Sequence, residues 1–162
     1  MLHARRIAPA GQWPAAQSRG TVTLEFDNRY RRRLRLSTDA GEPVMLDLAQ
    51  PVVLGDGDAL VVEEGGFIAV RAALEDLVEV TAPPDLLARL AWHIGNRHFP
   101  AELHADRILI RDDHVMVDML IGFGAEVRRV RAPFNPEGGA YAHANGHGHD
   151  GHDHDHGHGH DH

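Results

Sequence analysis

Cysteine is absent from the 162 residues of this chain. Disulfide bonds are therefore excluded, and so are the thiolate ligands that many structural zinc sites use. A metal ion bound to this protein has to be held by imidazole nitrogen or carboxylate oxygen atoms.

Long apolar runs are also absent, since no stretch approaches the about 20 residues that a membrane-spanning helix needs. The N-terminal segment carries Arg5 and Arg6 but no apolar segment behind them, which is not the pattern of a signal peptide. The sequence therefore predicts a cytoplasmic protein that has no membrane partner.

Basic residues are in the minority, with 16 Lys and Arg against 24 Asp and Glu and a formal net charge of -8. A general nucleic-acid binder should be strongly basic, so nucleic acid is not an expected partner. The phosphate-binding loop of nucleotide hydrolases and the GxSxG and HExxH motifs are missing, and no paired carboxylates stand out. We expect a protein that binds metal and is not an enzyme; a metal-dependent hydrolase is the less favoured alternative.

The first half of the chain consists of short segments in which apolar and polar residues alternate. Glycine and aspartate turns separate these segments, which predicts an all-β domain over residues 1–72. Residues 1–20 are expected to be loosely ordered or to form an opening edge strand. The alternating segments are residues 21–26, 33–37, 44–48, 59–63 and 67–71.

The second half predicts an alternation of strands and helices. A helix follows Pro83-Pro84 and ends at a Gly95-Asn96 cap, and a second helix is capped by Asp112 or Asp113. The predicted order is β-α-β-β-α-β, the order of the ferredoxin-like fold, over residues 73–141. The fold class is thus α+β: an N-terminal all-β domain, a ferredoxin-like domain and a disordered His-rich C-terminal tail.

The tail, residues 142–162, consists almost entirely of His, Gly and Asp. It has no apolar surface to offset the entropy of ordering, so we expect it to be flexible. Neutral imidazole is the commonest protein ligand for zinc, copper and nickel, and its affinity falls as the pH drops through about 6.5. An expression tag is the alternative, but tags are normally uninterrupted histidine runs. The tail ligands are His143, His147, His149, His152, His154, His156, His158, His160 and His162.

Three histidines outside the tail are further candidate ligands. His93 and His98 flank the Gly95-Asn96 turn, although each alone is more simply a packed or exposed histidine. A two-fold dimer could supply a second His98 across its axis. Asp112 and His114 lie two residues apart at a helix start and could reach one ion together, with helix capping as the alternative.

A basic run follows the first alternating segment and extends into the second. A solvated strand face is its default interpretation, and a docking patch for an acidic protein partner is the functional one. The patch comprises Arg29, Arg31, Arg32 and Arg33, followed by Arg35.

Four features taken in order resemble the UreE family of urease accessory metallochaperones. They are Gly95–His98 (GNRH), Asp56–Asp58 (DGD), Pro133–Tyr141 (PFNPEGGAY) and the His-rich tail. The resemblance runs from about Thr21 to the end of the chain. It implies a β-domain like a chaperone peptide-binding domain, followed by a ferredoxin-like metal-binding domain that forms a homodimer.

The resemblance also implies a function and a ligand set. The family binds Ni²⁺, which Zn²⁺ or Cu²⁺ can replace in vitro, and hands it to the urease assembly complex, with a urease accessory GTPase as direct partner. His98 would be the ligand at the dimer interface and His93 a secondary ligand. His114 matches a peripheral ligand of some members, whereas Asp112 stands where another member has histidine. A nickel or zinc buffer without a dedicated recipient is the alternative function.

Overall fold

The computed structural model of the chain describes residues 1–138, and within them the backbone forms a six-stranded and a four-stranded sheet. The predicted tail and its candidate ligands, His143 to His162, lie outside the described residues. The chain is α+β, with a strand-rich first half and a second half in which helices accompany the sheet. Within residues 1–138, none of the helices has the length and apolar character needed to cross a membrane.

The first sheet is built from six strands with the order β2-β6-β5-β1-β4-β3. Its inward-facing side chains alternate with exposed ones, as the sequence predicts, and Leu46, Leu60 and Ile68 are fully buried. Its elements are β1 (Leu2–Ala8), β2 (Ser18–Leu24), the short helix α1 (Phe26–Arg29), β3 (Arg33–Ser37), β4 (Pro43–Asp47), β5 (Ala59–Val62) and β6 (Phe67–Ala72).

Strand β1 corrects the expectation for the first 20 residues. It lies inside the sheet, parallel to β4 and antiparallel to β5, and is neither loosely ordered nor an edge strand. The register shifts between Ala4 and Arg6, so one extra residue interrupts the alternation of buried and exposed side chains. That irregularity hides the strand from a search for strict period two.

Asp39 joins the two edge strands of this sheet. Its backbone N–H donates to the Thr21 carbonyl at 2.8 Å, and its carboxylate accepts from the hydroxyls of Thr21 at 2.6 Å and Thr23 at 2.9 Å. Asp39 follows β3, whereas both threonines belong to β2 at the opposite edge. The sheet is therefore curled so that its ends meet. The hydrogen bond from Thr21 lowers the pKa of the Asp39 carboxyl, with Thr23 contributing.

Replacement of Asp39 by Ala should lower the free energy of unfolding by about 1 kcal/mol at neutral pH, since exposed hydrogen bonds are lost. Because the folded-state pKa is lowered, this stabilisation is present above the unfolded-state pKa and disappears as the pH falls through the folded-state pKa. Urea unfolding of both proteins at neutral and at acid pH measures the difference. A destabilisation independent of pH would contradict the assignment.

The second sheet has the order β10-β7-β9-β8, and each neighbouring pair is antiparallel. The chain order is the strand-helix-strand-strand-helix-strand order that the sequence predicts. The elements are β7 (Leu74–Thr81), α2 (Pro84–Asn96), β8 (Ala101–Leu103), β9 (Ile108–Arg111), α3 (His114–Gly122) and β10 (Glu126–Pro133).

Both helices pack on one face of this sheet. Helix α2 begins with proline in its first turn, where the missing N–H has no partner to lose, and it buries Leu87, Leu90 and Ile94. Helix α3 is capped by Asp113, whose carboxylate accepts from the Met116 N–H at 2.9 Å. Of the two predicted caps, the structure thus selects Asp113.

Arg29 connects the two halves of the chain, and it is fully buried. Its guanidinium donates to the carbonyls of Leu24 and Leu54, both at 3.2 Å, to Asn135 Oδ1 at 3.1 Å and to the Phe134 carbonyl. Burial lowers the pKa of Arg29, although an arginine stays charged at neutral pH. Arg29 cannot belong to an exposed docking patch, and its inclusion in the predicted patch was wrong. We call this set of contacts the Arg29 junction.

A second group of contacts flanks the Arg29 junction. The buried Glu75 carboxylate accepts from the Phe26 N–H at 3.0 Å and from Arg111 Nε at 3.4 Å. Arg111 also reaches Asp27 at 3.0 Å. The Phe134 ring packs edge-on against Phe26, with centroids 6.1 Å apart. Phe26 and Asp27 of helix α1 are therefore bonded to strands β7 and β9 of the second sheet.

Replacement of Arg29 by Ala should lower the free energy of unfolding by about 3 kcal/mol or more, because several buried acceptors lose their donor. The matched control is Arg31→Ala, since the exposed Arg31 makes one hydrogen bond to the Asp27 carbonyl. That control should change stability by no more than about 0.5 kcal/mol. Urea unfolding measures both, and equal losses would contradict the role of Arg29.

Candidate metal centre

His98 lies directly after helix α2 in a left-handed backbone conformation, with φ of 54°. The His98 N–H donates to the Gly95 carbonyl at 3.0 Å, and the Phe99 N–H donates to the Ile94 carbonyl at 3.3 Å. This pair of bonds is the Schellman arrangement, in which glycine usually occupies the left-handed position. The predicted cap at Gly95-Asn96 was therefore wrong, because both residues belong to the last helical turn.

The His98 side chain is exposed to solvent, and the residues on either side of it are held in place by contacts with the rest of the protein. The next residue, Phe99, is half-buried against the core between α2, α3 and the second sheet. On the other side, the Arg97 guanidinium donates to the His93 carbonyl at 3.1 Å, which closes the last turn of the helix. The His98 imidazole itself is exposed between these two anchored neighbours, so it is open to a ligand.

His98 also lines a groove with a volume of about 480 Å³. The walls are mostly apolar, and they come from both halves of the chain, with Tyr30 and Val53 on one side and Phe99 and Leu103 on the other. Glu137 and Gly138, the last described residues, line the same groove. The last described residues and the candidate ligand thus share one groove.

His93 is packed between two aromatic rings and is not presented to solvent in the manner of His98. Its imidazole stacks on Phe123 with centroids 4.4 Å apart, and Trp92 meets it edge-on at 5.1 Å. The structure thus gives His93 a packing role, and its role as a secondary ligand stays a prediction. Within residues 1–138, no three His, Asp or Glu side chains are grouped so that they could hold a metal ion.

The predicted peripheral site has a competing interaction. The Asp112 carboxylate lies 3.3 Å from Arg129 Nε on β10, so its charge already has a partner. His114 is exposed at the first position of α3. Metal binding by Asp112 would compete with this ion pair, and the site stays a prediction.

The remaining arginines of the predicted patch are exposed but differ in their contacts. Arg33 pairs with Asp47 at 3.1 Å, and Arg31 bonds the Asp27 carbonyl. Arg32 is also exposed. A docking role for these three residues remains a prediction.

One polar cluster near the groove was not found by sequence reasoning. Glu102 Oε1 lies 3.1 Å from His104 Nε2, and Glu102 Oε2 accepts from the Asn135 N–H at 3.1 Å. The sequence separation of 33 residues between Glu102 and Asn135 leaves no local pattern that could have indicated the contact.

Both halves of the chain match known family models. Residues 2–73 match the model described as UreE urease accessory protein, N-terminal domain, and residues 75–162 match the one for the C-terminal domain. Both halves of the chain are thus similar to an accessory protein of urease. The chain belongs to the UreE urease accessory protein family.

Similar proteins from three bacteria carry the name urease accessory protein UreE. The Ruegeria pomeroyi protein is 50% identical over 139 residues, which cover 86% of this chain and 91% of that protein. The Cereibacter sphaeroides protein is 47% identical over 142 residues, covering 86% and 75% respectively. The Rhodobacter capsulatus protein is 45% identical over 141 residues, covering 87% of each chain.

Replacement of His98 by Gly should raise the free energy of unfolding by about 0.5–1 kcal/mol, because glycine adopts the left-handed conformation without strain. Arg97 is the matched control, since its φ of -92° suits any residue. Arg97→Gly should destabilise the protein by a similar amount. Thermal unfolding without metal compares the two, and destabilisation by His98→Gly would contradict the assigned conformation.

Proposed function

We propose that this protein is a nickel metallochaperone that binds Ni²⁺ and delivers it to the urease apoprotein during metallocentre assembly. The proposal rests chiefly on the position of His98 beside the point where the chain enters its His-rich segment. His143 follows Gly138 by five residues, a stretch that spans at most about 18 Å. Tail imidazoles can therefore reach the metal at His98.

One imidazole cannot hold a metal ion tightly, so His98 needs further ligands. A homodimer with His98 at its two-fold axis would supply a second imidazole, because such an interface places the same residue on both sides. Tail histidines would complete the coordination and hold additional ions. A ligand set of nitrogen and oxygen without thiolate suits Ni²⁺, and Zn²⁺ or Cu²⁺ could replace it in vitro.

The two halves of the chain would have different functions. We infer that residues 1–72 form a chaperone-like peptide-binding domain and that residues 73–141 form a ferredoxin-like metal-binding domain. The antiparallel order β10-β7-β9-β8 supports the second assignment. Residues 142–162 would be a His-rich nickel-binding tail. The partners would be the urease assembly complex and its accessory GTPase in the cytoplasm, with Arg31, Arg32 and Arg33 as a docking surface.

A nickel or zinc buffer without a dedicated recipient is the second candidate. The nine histidines between His143 and His162 favour it, since they offer more ligands than the transfer of one ion requires. In that function the tail would account for all physiological binding, and His98 would be dispensable.

Calorimetric Ni²⁺ titration should separate the two functions. His98→Ala should weaken the tightest site at least about tenfold, because a primary ligand is lost, whereas deletion of residues 143–162 should leave about one tight Ni²⁺ per dimer. His104→Ala is the control, since it removes a histidine that pairs with Glu102 away from the turn. If the deletion abolishes all binding while His98→Ala affects neither binding nor urease activation, the buffer function is correct.

A further inference from the structure

Strand β3 lies at one end of the six-stranded sheet, and among residues 1–138 the only strand that pairs with it is β4. The Thr38 N–H donates to the Glu42 carbonyl at 2.8 Å, and backbone bonds across an antiparallel pair recur at every second residue. The even-numbered residues of β3 are therefore the ones bonded to β4. The backbone N–H and carbonyl groups of Arg33, Arg35 and Ser37 point away from β4, along the outer edge of the sheet.

This outer edge is closed only where β3 ends. Asp39, which follows the strand, bonds to Thr21 of β2 and brings the two ends of the curled sheet together there. In the described part of the chain no strand pairs with the outer side of residues 33–37, and Arg33, Arg35 and Ser37 are all exposed. An unpaired edge of this kind is a template for another strand.

Arginine side chains are concentrated along the same edge. Arg33 lies opposite Asp47 of β4, with Nε 3.1 Å from Oδ1. The hydrogen bond from Arg33 lowers the pKa of the Asp47 carboxyl, and the charges of Arg32 and Arg5 act in the same direction. Among residues 1–138, Arg32 and Arg35 have no carboxylate partner, so β3 carries an excess of positive charge. The chain as a whole has a net charge of -8, which makes this excess a local feature.

The edge differs from the basic run that the sequence predicted as a docking patch. Arg29 is buried, and the Arg31 guanidinium donates to the Asp27 carbonyl of α1 at 3.1 Å. Arg5 reaches the surface from β1, but Glu63 lies 3.4 Å from it and offsets its charge. The unbalanced positive charge therefore belongs to β3 and to the residue just before it.

We propose that the outer edge of β3 is a docking site for an extended, acidic segment of a partner protein. Such a segment would add a strand to the sheet through backbone hydrogen bonds, while its carboxylates at alternate positions meet Arg33 and Arg35. A second copy of the chain does not fit, because pairing β3 with itself would place arginine opposite arginine. The inference rests on the proposed function for the existence of a protein partner, but not for nickel binding.

The test titrates the full-length, metal-free protein into a fluorescent, capped ten-residue peptide of alternating Glu and Thr and follows fluorescence anisotropy. We expect saturable binding that weakens as salt is added, because salt screens exposed charges. Replacement of both Arg33 and Arg35 by Gln should weaken binding about threefold to tenfold, since two exposed charge contacts are lost. The same peptide with Lys in place of Glu should not bind. Absence of binding by the acidic peptide would overturn the proposal.

A double variant on the other sheet provides the matched control. Arg129 and Arg131 also lie on an edge strand, β10, but Asp112 at 3.3 Å and Asp76 at 2.9 Å already pair with them. Replacement of both by Gln removes the same charge from the protein and should leave peptide affinity unchanged. Equal weakening by the two double variants would show attraction to overall charge and would overturn the site.

Ser37→Pro tests the backbone contribution without changing any charge. The Ser37 N–H points away from β4, so proline removes a donor from the outer edge and keeps the pairing with β4. Peptide affinity should fall about threefold or more, because one backbone hydrogen bond is lost. Ser37→Ala keeps the N–H and should bind like the unaltered protein. Unchanged affinity in Ser37→Pro would overturn strand addition.

Nickel titration of the same variants separates this inference from the proposed function. The variant with Gln at positions 33 and 35 should bind Ni²⁺ like the unaltered protein, because the residues that line the His98 groove come from other elements. Failure of the acidic peptide to bind refutes the docking site and leaves the metal site standing. A Ni²⁺ titration that His98→Ala does not alter refutes the metal site and leaves the docking site standing.

Discussion

The buried guanidinium of Arg29 is the interaction on which the rest of this structure depends. A buried charge is costly unless its hydrogen bonds are satisfied, and here the acceptors come from both halves of the chain: Leu24 and Leu54 from one, Phe134 and Asn135 from the other. The acceptors are carbonyl and amide oxygens, so the contact depends on backbone position and not on a second charge. It fixes the path of the chain after β10, and hence the groove that His98 lines.

The sequence predicted the alternating strands well because burial on one face leaves a local period of two. Strand β3 has the predicted bounds, Arg33–Ser37. The prediction from the sequence failed at β1, where the shift between Ala4 and Arg6 breaks that period. It also failed at Arg29, whose position in a run of arginines indicated exposure. Its partners Phe134 and Asn135 are more than a hundred residues distant, and no local pattern records such a contact.

At the candidate site, too, local motifs could be predicted from the sequence and contacts between distant residues could not. The GNRH motif made His98 a candidate ligand, but the turn was assigned to the wrong residues because glycine normally takes the left-handed position. A histidine there accepts strain, and residues in strained conformations are concentrated at functional sites. At the predicted peripheral site, the ion pair between Asp112 and Arg129 joins elements that only the folded sheet brings together. The packing of His93 against Phe123 likewise depends on two helices meeting.

The return of residues 135–137 along β8 has a consequence for association between copies of the chain. An unpaired edge strand is a template on which another sheet can grow, and proteins protect such edges by covering or charging them. In the four-stranded sheet of the described residues, the Glu137 N–H donates to the Ala101 carbonyl of β8 at 2.8 Å and the Asn135 N–H to Glu102 Oε2 at 3.1 Å, and β10 carries Arg128, Arg129 and Arg131. Neither edge favours continuation of the sheet into a neighbouring molecule.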